Sequence, residues 1–267
     1  MHDAILQAEP LIRLAAFSAV FVLMATWEVL APRRRRALGR AWRWPSNLGI
    51  LALDAALVRV LFPTAAVGAA LWAEAGGIGM LNVLAAPAWI GIPLSVLLLD
   101  LVIWAQHRVF HHVPVLWRLH RMHHADTEFD VTTGLRFHPV EIVLSMLIKI
   151  AVVVALGAPA VAVLLFEVLL NAASQFGHGN VRMPVRLERA LRLVLVTPEM
   201  HRVHHSVIRA EHDSNFGFCL SVWDRLFGTY LPQPAAGHDR MVIGLDRFRD
   251  NAEARLGRML TQPLREQ

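Results

Sequence analysis

Fourteen histidines in 267 residues are the first feature to explain, and twelve of them lie between His107 and His212. They form three clusters: His107-Arg-Val-Phe-His111-His112, His120-Arg-Met-His123-His124 and His201-Arg-Val-His204-His205. On a helix, residues at i, i+3 and i+4 share a face, with Cβ atoms about 5–6 Å apart. His120, His123 and His124 are therefore expected to converge on one point, as are His201, His204 and His205; His107 and His111 make an i, i+4 pair. Pro114 can open a helix through the second cluster, and Thr197-Pro198 reads as an N-cap with proline at the first helical position. Crowded imidazolium cations repel one another, and buried neutral rings need partners. Neutral imidazole is a good ligand for iron, zinc and copper. One ion takes about four to six ligands, so eight or more histidines suit two ions.

The remaining candidates divide by position. His178, in Phe176-Gly-His178-Gly-Asn180, is a further candidate ligand. His138, in Arg136-Phe-His138-Pro-Val-Glu141, is either a ligand or a structural residue. His112 points about 100° from His111 around a helix, which suits a bond to a ligand better than ligation. His212, between Glu211 and Asp213, is read the same way. Asp100 shares a helical face with His107; it either orients a ligand histidine or is a buried acid paired with arginine. Glu141 has the same two readings. His2 and His238 stand outside the pattern.

The composition indicates what holds these clusters. Apolar residues make up 55% of the chain, charged residues only 18%, and mean hydropathy is +0.45. Ordinary soluble domains have about 45–50% and about 25%. A disordered chain or a coiled coil is excluded, and a membrane protein is indicated. The single cysteine, Cys219, excludes a disulfide framework and Cys-ligated zinc or iron–sulfur sites. The net charge of +5 is confined to particular loops, so nucleic acid is not an expected partner.

Apolar runs cover Leu14–Ala31, Leu48–Ala73, Ala88–Ala105, Val140–Leu156 and Ala158–Phe176. Asp54 and Arg59 in the second are expected to pair or to face the protein interior. The last two, separated by the turn signal Gly157-Ala158-Pro159, are short for a hydrocarbon core of about 30 Å. They are read as a tight helical hairpin whose outer ends return to the starting side. Residues 32–44 hold six arginines and residues 107–138 hold four, whereas 74–87 and 157–159 hold no Lys or Arg. This alternation places the N-terminus outside, with the histidine clusters and C-terminus in the cytoplasm. Trp42, Trp44 and Trp104 are expected in the inner interfacial belt, and Trp72 and Trp89 in the outer one. The expected fold is all-α: a polytopic integral-membrane helical bundle of three spans plus a helical hairpin, under a cytoplasmic histidine-rich helical cap. One domain, 1–267, is expected, with spans mainly in 1–106, cytoplasmic clusters in 107–138, the hairpin in 139–177 and the cap in 178–267.

These motifs resemble the fatty acid hydroxylase / sterol desaturase superfamily of integral-membrane oxygenases. The resemblance runs in order from Asp100…His107…His111, through His120–His124, Arg-Phe-His138-Pro and Phe-Gly-His178-Gly-Asn180, to His201–His205 and Asn215-Phe-Gly…Trp223-Asp-Arg-Leu-Phe-Gly-Thr-Tyr230. It implies a di-iron site, O2 as oxidant and a donor supplying two electrons per turnover. The implied ligands are His107, His111, His120, His123, His124, His178, His201, His204 and His205, with Asn180 contributing directly or through water. No catalytic residue beyond the ligands is assigned.

No cytochrome b5-like segment and no Rossmann GxGxxG occurs. A separate carrier of ferredoxin or cytochrome type, with its reductase, is therefore expected. The expected reaction is hydroxylation or desaturation of an aliphatic C–H in a membrane lipid, a fatty acyl or sterol-like molecule. A bacterial inner membrane is the expected location. One rival is a zinc-dependent membrane hydrolase or lyase, but HExxH is absent and catalytic zinc usually takes three protein ligands; zinc could also replace iron at the same site. A metal transporter is the other rival, though transport sites generally lie near mid-membrane, whereas these clusters lie at helix ends.

Overall fold

The apolar runs fold as helices because their length and composition leave backbone groups no other partner in hydrocarbon. The computed structural model describes residues 2–265. After a short helix, His2–Gln7, come α1 (Glu9–Leu30), α2 (Arg40–Leu61), α3 (Ala65–Ala75), α4 (Ala88–His112), α5 (Pro114–His124), α6 (Pro139–Leu156), α7 (Ala160–Gly177) and, after a further short helix, α8 (Pro198–His204). Five helical segments are long and apolar enough to cross a membrane, the second being the interrupted stretch Arg40–Val83. Among the described residues there is no β-strand, only three isolated bridges. Lipid-facing positions are plain on α1, where Leu14, Val22 and Leu30 are 64%, 62% and 78% exposed.

Three sequence expectations about the spans are corrected. The run Leu48–Ala73 is not one helix. Pro63 lacks the N–H that a continuing helix needs, and the chain turns through Phe62–Thr64 with Ala65 at φ 48° before α3 begins. Arg59 does not pair with Asp54: it is exposed and donates to the Pro63 carbonyl at 3.2 Å, while Asp54 is buried. Trp104 is not an interfacial residue; it is buried and donates its indole N–H to Asp224 Oδ1 at 3.0 Å. Trp72 and Trp89 are strongly exposed.

The α6–α7 hairpin turns at Gly157, whose φ of 67° suits a residue without a Cβ. Its two helices have 18 residues each, or about 27 Å. With α3 and α4 they enclose an apolar core that includes Leu99, Val153, Val163 and Phe166.

The polar end is fixed by buried ion pairs. Arg43 of α2 donates to Asp126 and to Asp130 (2.6 Å), holding the loop that follows α5. Glu28 of α1 accepts from the backbone N–H of Val131 (2.7 Å) and of Asn180 (3.0 Å), and pairs with Arg40 at 2.8 Å. The last residues close over α5: Arg121 donates to the Gln262 carbonyl at 2.8 Å and Arg118 to that of Pro263 at 2.7 Å.

Candidate metal centre

The clusters meet at this polar end, each brought by a helix whose start is defined locally. Pro114 opens α5. Thr197 caps α8, its hydroxyl accepting from Met200 N–H (3.3 Å) and donating to Glu188 (2.7 Å), a cap of about 1 kcal/mol. The C-terminal turns of α4 and α7 supply His107, His111 and, one residue past the helix, His178.

Nine imidazoles form two groups, in each of which the ligand atoms lie within 4.8 Å of one another: His107, His111, His120, His124 and His204 in one, and His123, His178, His201 and His205 in the other. All nine are buried. Each HxxHH motif is therefore divided rather than convergent, which corrects the helical-face expectation. The i and i+4 rings of α5 (His120, His124) join the five-membered group, and the i+3 ring (His123) joins the other. From the third cluster the reverse holds: His201 and His205 join the four-membered group and His204 crosses to the five. On a helix, i and i+4 differ by about 40° and i+3 lies about 60° to the other side, so two groups flanking one helix separate them in this way.

The hydrogen bonds fix which nitrogen faces inward. The Nδ1–H of His107 donates to the Phe216 carbonyl at 2.8 Å, that of His204 to Ser214 at 2.6 Å, and that of His178 to Ser174 at 2.7 Å. His120 Nδ1 donates to Glu141 Oε1 at 2.6 Å, and His111 Nδ1 to Asp213 Oδ1 at 3.2 Å. A neutral ring that donates from Nδ1 keeps a lone pair on Nε2. Yet His107 Nε2 lies 3.0 Å from His120 Nε2 and 3.0 Å from His204 Nε2, so acceptors face acceptors. The Nε2 atoms of His111 and His124 are buried without any partner. In the second group, His178 Nε2 is faced by Nε2 of His123, His201 and His205 at 3.1, 3.0 and 3.2 Å, three neighbours for one lone pair. Converging, unprotonated, buried imidazole nitrogens are what a divalent transition-metal ion requires. Burial, reinforced by the neighbouring rings, pushes His123, His124, His201, His204 and His205 well below the ordinary histidine range. His178 is lowered to about 4, chiefly by burial.

The other candidates lie outside both groups. His112 is exposed and bonds only the Arg108 carbonyl, so it contacts no clustered histidine through a hydrogen bond. His138 caps α6, accepting from Val140 N–H, and its Nε2 reaches the Leu260 carbonyl at 3.2 Å. Asn180 is tied to both the N–H and the carbonyl of Arg34. Asp100 neither orients a histidine nor pairs with arginine; it accepts from Trp223 Nε1 (2.9 Å) and from the Cys219 and Leu220 N–H groups. His212 stacks on Trp117 with ring centroids 5.4 Å apart, and Trp117 in turn lies against His111 and His124. His238 is buried beside Glu199, and the side chain of His2 lies outside the described part.

Sequence reasoning missed the orienting carbonyls of Ser174, Ser214 and Phe216, since a carbonyl carries no residue signature. A clue existed at Asn215, which adopts φ 53°, a left-handed conformation that asparagine tolerates. Its amide donates to the Met200 carbonyl at 3.0 Å, fixing the turn whose flanking carbonyls hold His204 and His107.

Two cavities approach the histidines. One, of about 360 Å³, runs among α2, α4, α6 and α7, with Leu51, Val58, Ile103, Phe137 and Met146 in its walls together with His107 and His120. The other, of about 320 Å³, lies at His111, Trp117 and His212, and in its lining Arg209 and Arg247 are paired with Asp213 and Asp246.

Residues 92–229, which carry all nine clustered histidines, match the family model for fatty acid hydroxylase. The chain belongs to the fatty acid hydroxylase family. Among relatives of this family member, the ornithine lipid hydroxylase OlsE of Rhizobium tropici is 30% identical over 143 residues, covering 54% of this chain and 42% of the relative. Human alkylglycerol monooxygenase is 31% identical over 140 residues, covering 52% and 29%. The very-long-chain aldehyde decarbonylase GL1-6 of rice is 24% identical over 218 residues, covering 78% and 32%. The chain thus spans less than half the length of these relatives. No solved structure matches it.

Proposed function

We propose that this fatty acid hydroxylase family member is an integral-membrane, di-iron oxidoreductase that hydroxylates an aliphatic C–H of a membrane lipid. The observation that carries the reading is the pair of buried imidazole groups, the first of which lends His107 and His120 to the wall of a largely apolar cavity. His107, His111, His120, His124 and His204 would hold one ion, and His123, His178, His201 and His205 the other. Bound iron supplies the oxidising power of O2, with two electrons and two protons per oxygen atom inserted. Five and four imidazoles exceed the three protein ligands customary at catalytic zinc, which favours a redox metal over hydrolysis. The names of the relatives that act on lipids support the same substrate class.

The chain's own residues have separable tasks in this reading. Phe216, Ser214, Ser174 and Glu141 hold the imidazoles in the tautomer that presents Nε2. The apolar walls exclude water and align the alkyl chain. The whole chain acts as one unit, with its arginine-rich end and histidines in the cytoplasm of a bacterial inner membrane.

Electrons are supplied by a separate carrier of ferredoxin or cytochrome type at the cavity beside Trp117, which with the stacked His212 reaches His111 and His124. Replacing Trp117 with Leu is expected to slow reduction by such a carrier while dithionite still reduces the protein at its normal rate. Reduction unaffected with both would rule out this path.

The central test incubates the purified protein, loaded with iron, with a lipid extract, O2 and a reductant. Uptake of labelled oxygen from O2 into a lipid is the expected result. Oxygen consumption that leaves every lipid unchanged would refute the reading.

A further inference from the structure

The cavity that reaches His107 and His120 is apolar for most of its wall, but that wall also holds three buried oxygens that accept nothing. Asp54 Oδ1, Gln106 Oε1 and Glu141 Oε2 all lack a hydrogen-bond partner. Asp54 and Glu141 are only 5% and 4% exposed. Gln106 Nε2 donates to Ser145 Oγ at 2.6 Å, and its Oε1 has no partner. Glu141, Ser145 and Lys149 follow one another at four-residue spacing on α6, about 6 Å per step, so a polar stripe runs down one side of the apolar cavity. At its far end Lys149 is already paired with Glu167 at 2.8 Å, and Glu167 also with Arg13. The unmet acceptors of the cavity wall are therefore those of Asp54, Gln106 and Glu141, the last of which also holds His120.

A buried acceptor without a donor is destabilising, more so for a charged group, so three beside one cavity select for what fills it. We propose that the cavity binds a lipid bearing a hydrogen-bond donor, a hydroxyl or an ammonium group, and seats that donor among Asp54, Gln106 and Glu141. An unsubstituted alkyl chain leaves the three oxygens unpaired and is rejected. Where the hydroxylase reading above also holds, the carbon oxidised lies within a few bonds of that donor rather than at the distal end of an acyl tail.

The test uses the full chain as purified, without reductant, in lipid nanodiscs, with empty nanodiscs to subtract partitioning. Three radiolabelled amphiphiles are compared: a vicinal dodecanediol, dodecylammonium, and the dimethyl ether of the diol, which has no donor. The diol or the ammonium compound is expected to bind about tenfold or more tightly than the ether. Which of the two is preferred identifies the donor as hydroxyl or ammonium. The Asp54→Leu/Gln106→Leu double variant is expected to bring that preference to within about twofold. Should this variant fail to fold, Gln106→Met alone is expected to reduce it. Equal binding of all three by the wild type, or a preference that neither variant changes, would overturn the proposal. Because binding is read without turnover, a preserved preference with no lipid oxidation would count against the hydroxylase reading alone.

Discussion

His123 and His124 are adjacent in the chain, yet their rings stand at 89° with centroids 5.3 Å apart and serve different imidazole groups. The backbone of one helical turn thereby binds the two groups into a single unit, and α8 repeats the arrangement with the roles exchanged.

This division predicts a selective loss of metal. His124→Ala removes one of five rings from the first group, and His123→Ala one of four from the second. Metal analysis and Mössbauer spectroscopy of the two variants should show different iron environments surviving in each. Identical loss in both would mean that the groups do not bind ions separately.

Glu141 acts through His120, whose Nδ1–H it accepts at 2.6 Å. Glu141→Gln keeps the shape but replaces a carboxylate acceptor with a weaker one. A loss of about 10–100-fold in metal affinity is expected, measured by competition with a chelator. A change under twofold would assign Glu141 to the cavity wall only.

Gly134 has no space for a side chain: a Cβ there would lie 2.8 Å from His178 Nδ1 and 2.9 Å from the Ser174 carbonyl. Gly134→Ala is expected to break the bond that orients His178 and to cost about 1–3 kcal/mol of stability. Reduced metal occupancy with a lowered melting temperature would bear this out; wild-type values of both would not.

The Arg43–Asp130 pair gives a pH dependence of known sign. Burial alone would raise Asp130, but the charge of Arg43 and the hydrogen bonds from Thr132, Arg43 and Trp44 outweigh it and hold the carboxyl at about 2. A carboxyl depressed on folding contributes stability that is fully present above its unfolded value of about 4. That contribution, about 2 kcal/mol, is lost as pH falls from about 4 towards 2. Melting of the wild type should therefore drop more steeply across this window than melting of Asp130→Asn, which is already destabilised at neutral pH. Parallel curves would contradict the assignment.

Much of the site was legible because it is written in local spacing. The nine clustered histidines were all identifiable from HxxHH, the i, i+4 pair and the lone His178, and the helices carrying them begin at Pro114 and Thr197-Pro198, residues with strong local preferences. Five membrane-length segments likewise follow from apolar runs, although Pro63 breaks one of them. What local spacing does not contain is the identity of the neighbour. Asp100 could be placed on the face of His107, but not beside Trp223, 123 residues away. His138 and Asn180 have histidine-like or polar chemistry in a suitable motif, and packing uses both to fasten loops.

Sequence alone determined the chemistry available here: many imidazoles, neutral when buried, at the ends of apolar helices. Only the tertiary structure decided that they form two groups, that each HxxHH motif is shared between them, and that three acceptor oxygens in one cavity wall are left unpaired. The physical reason is that helical periodicity fixes the direction of a side chain relative to its own axis. What lies in that direction is set by how the helices pack.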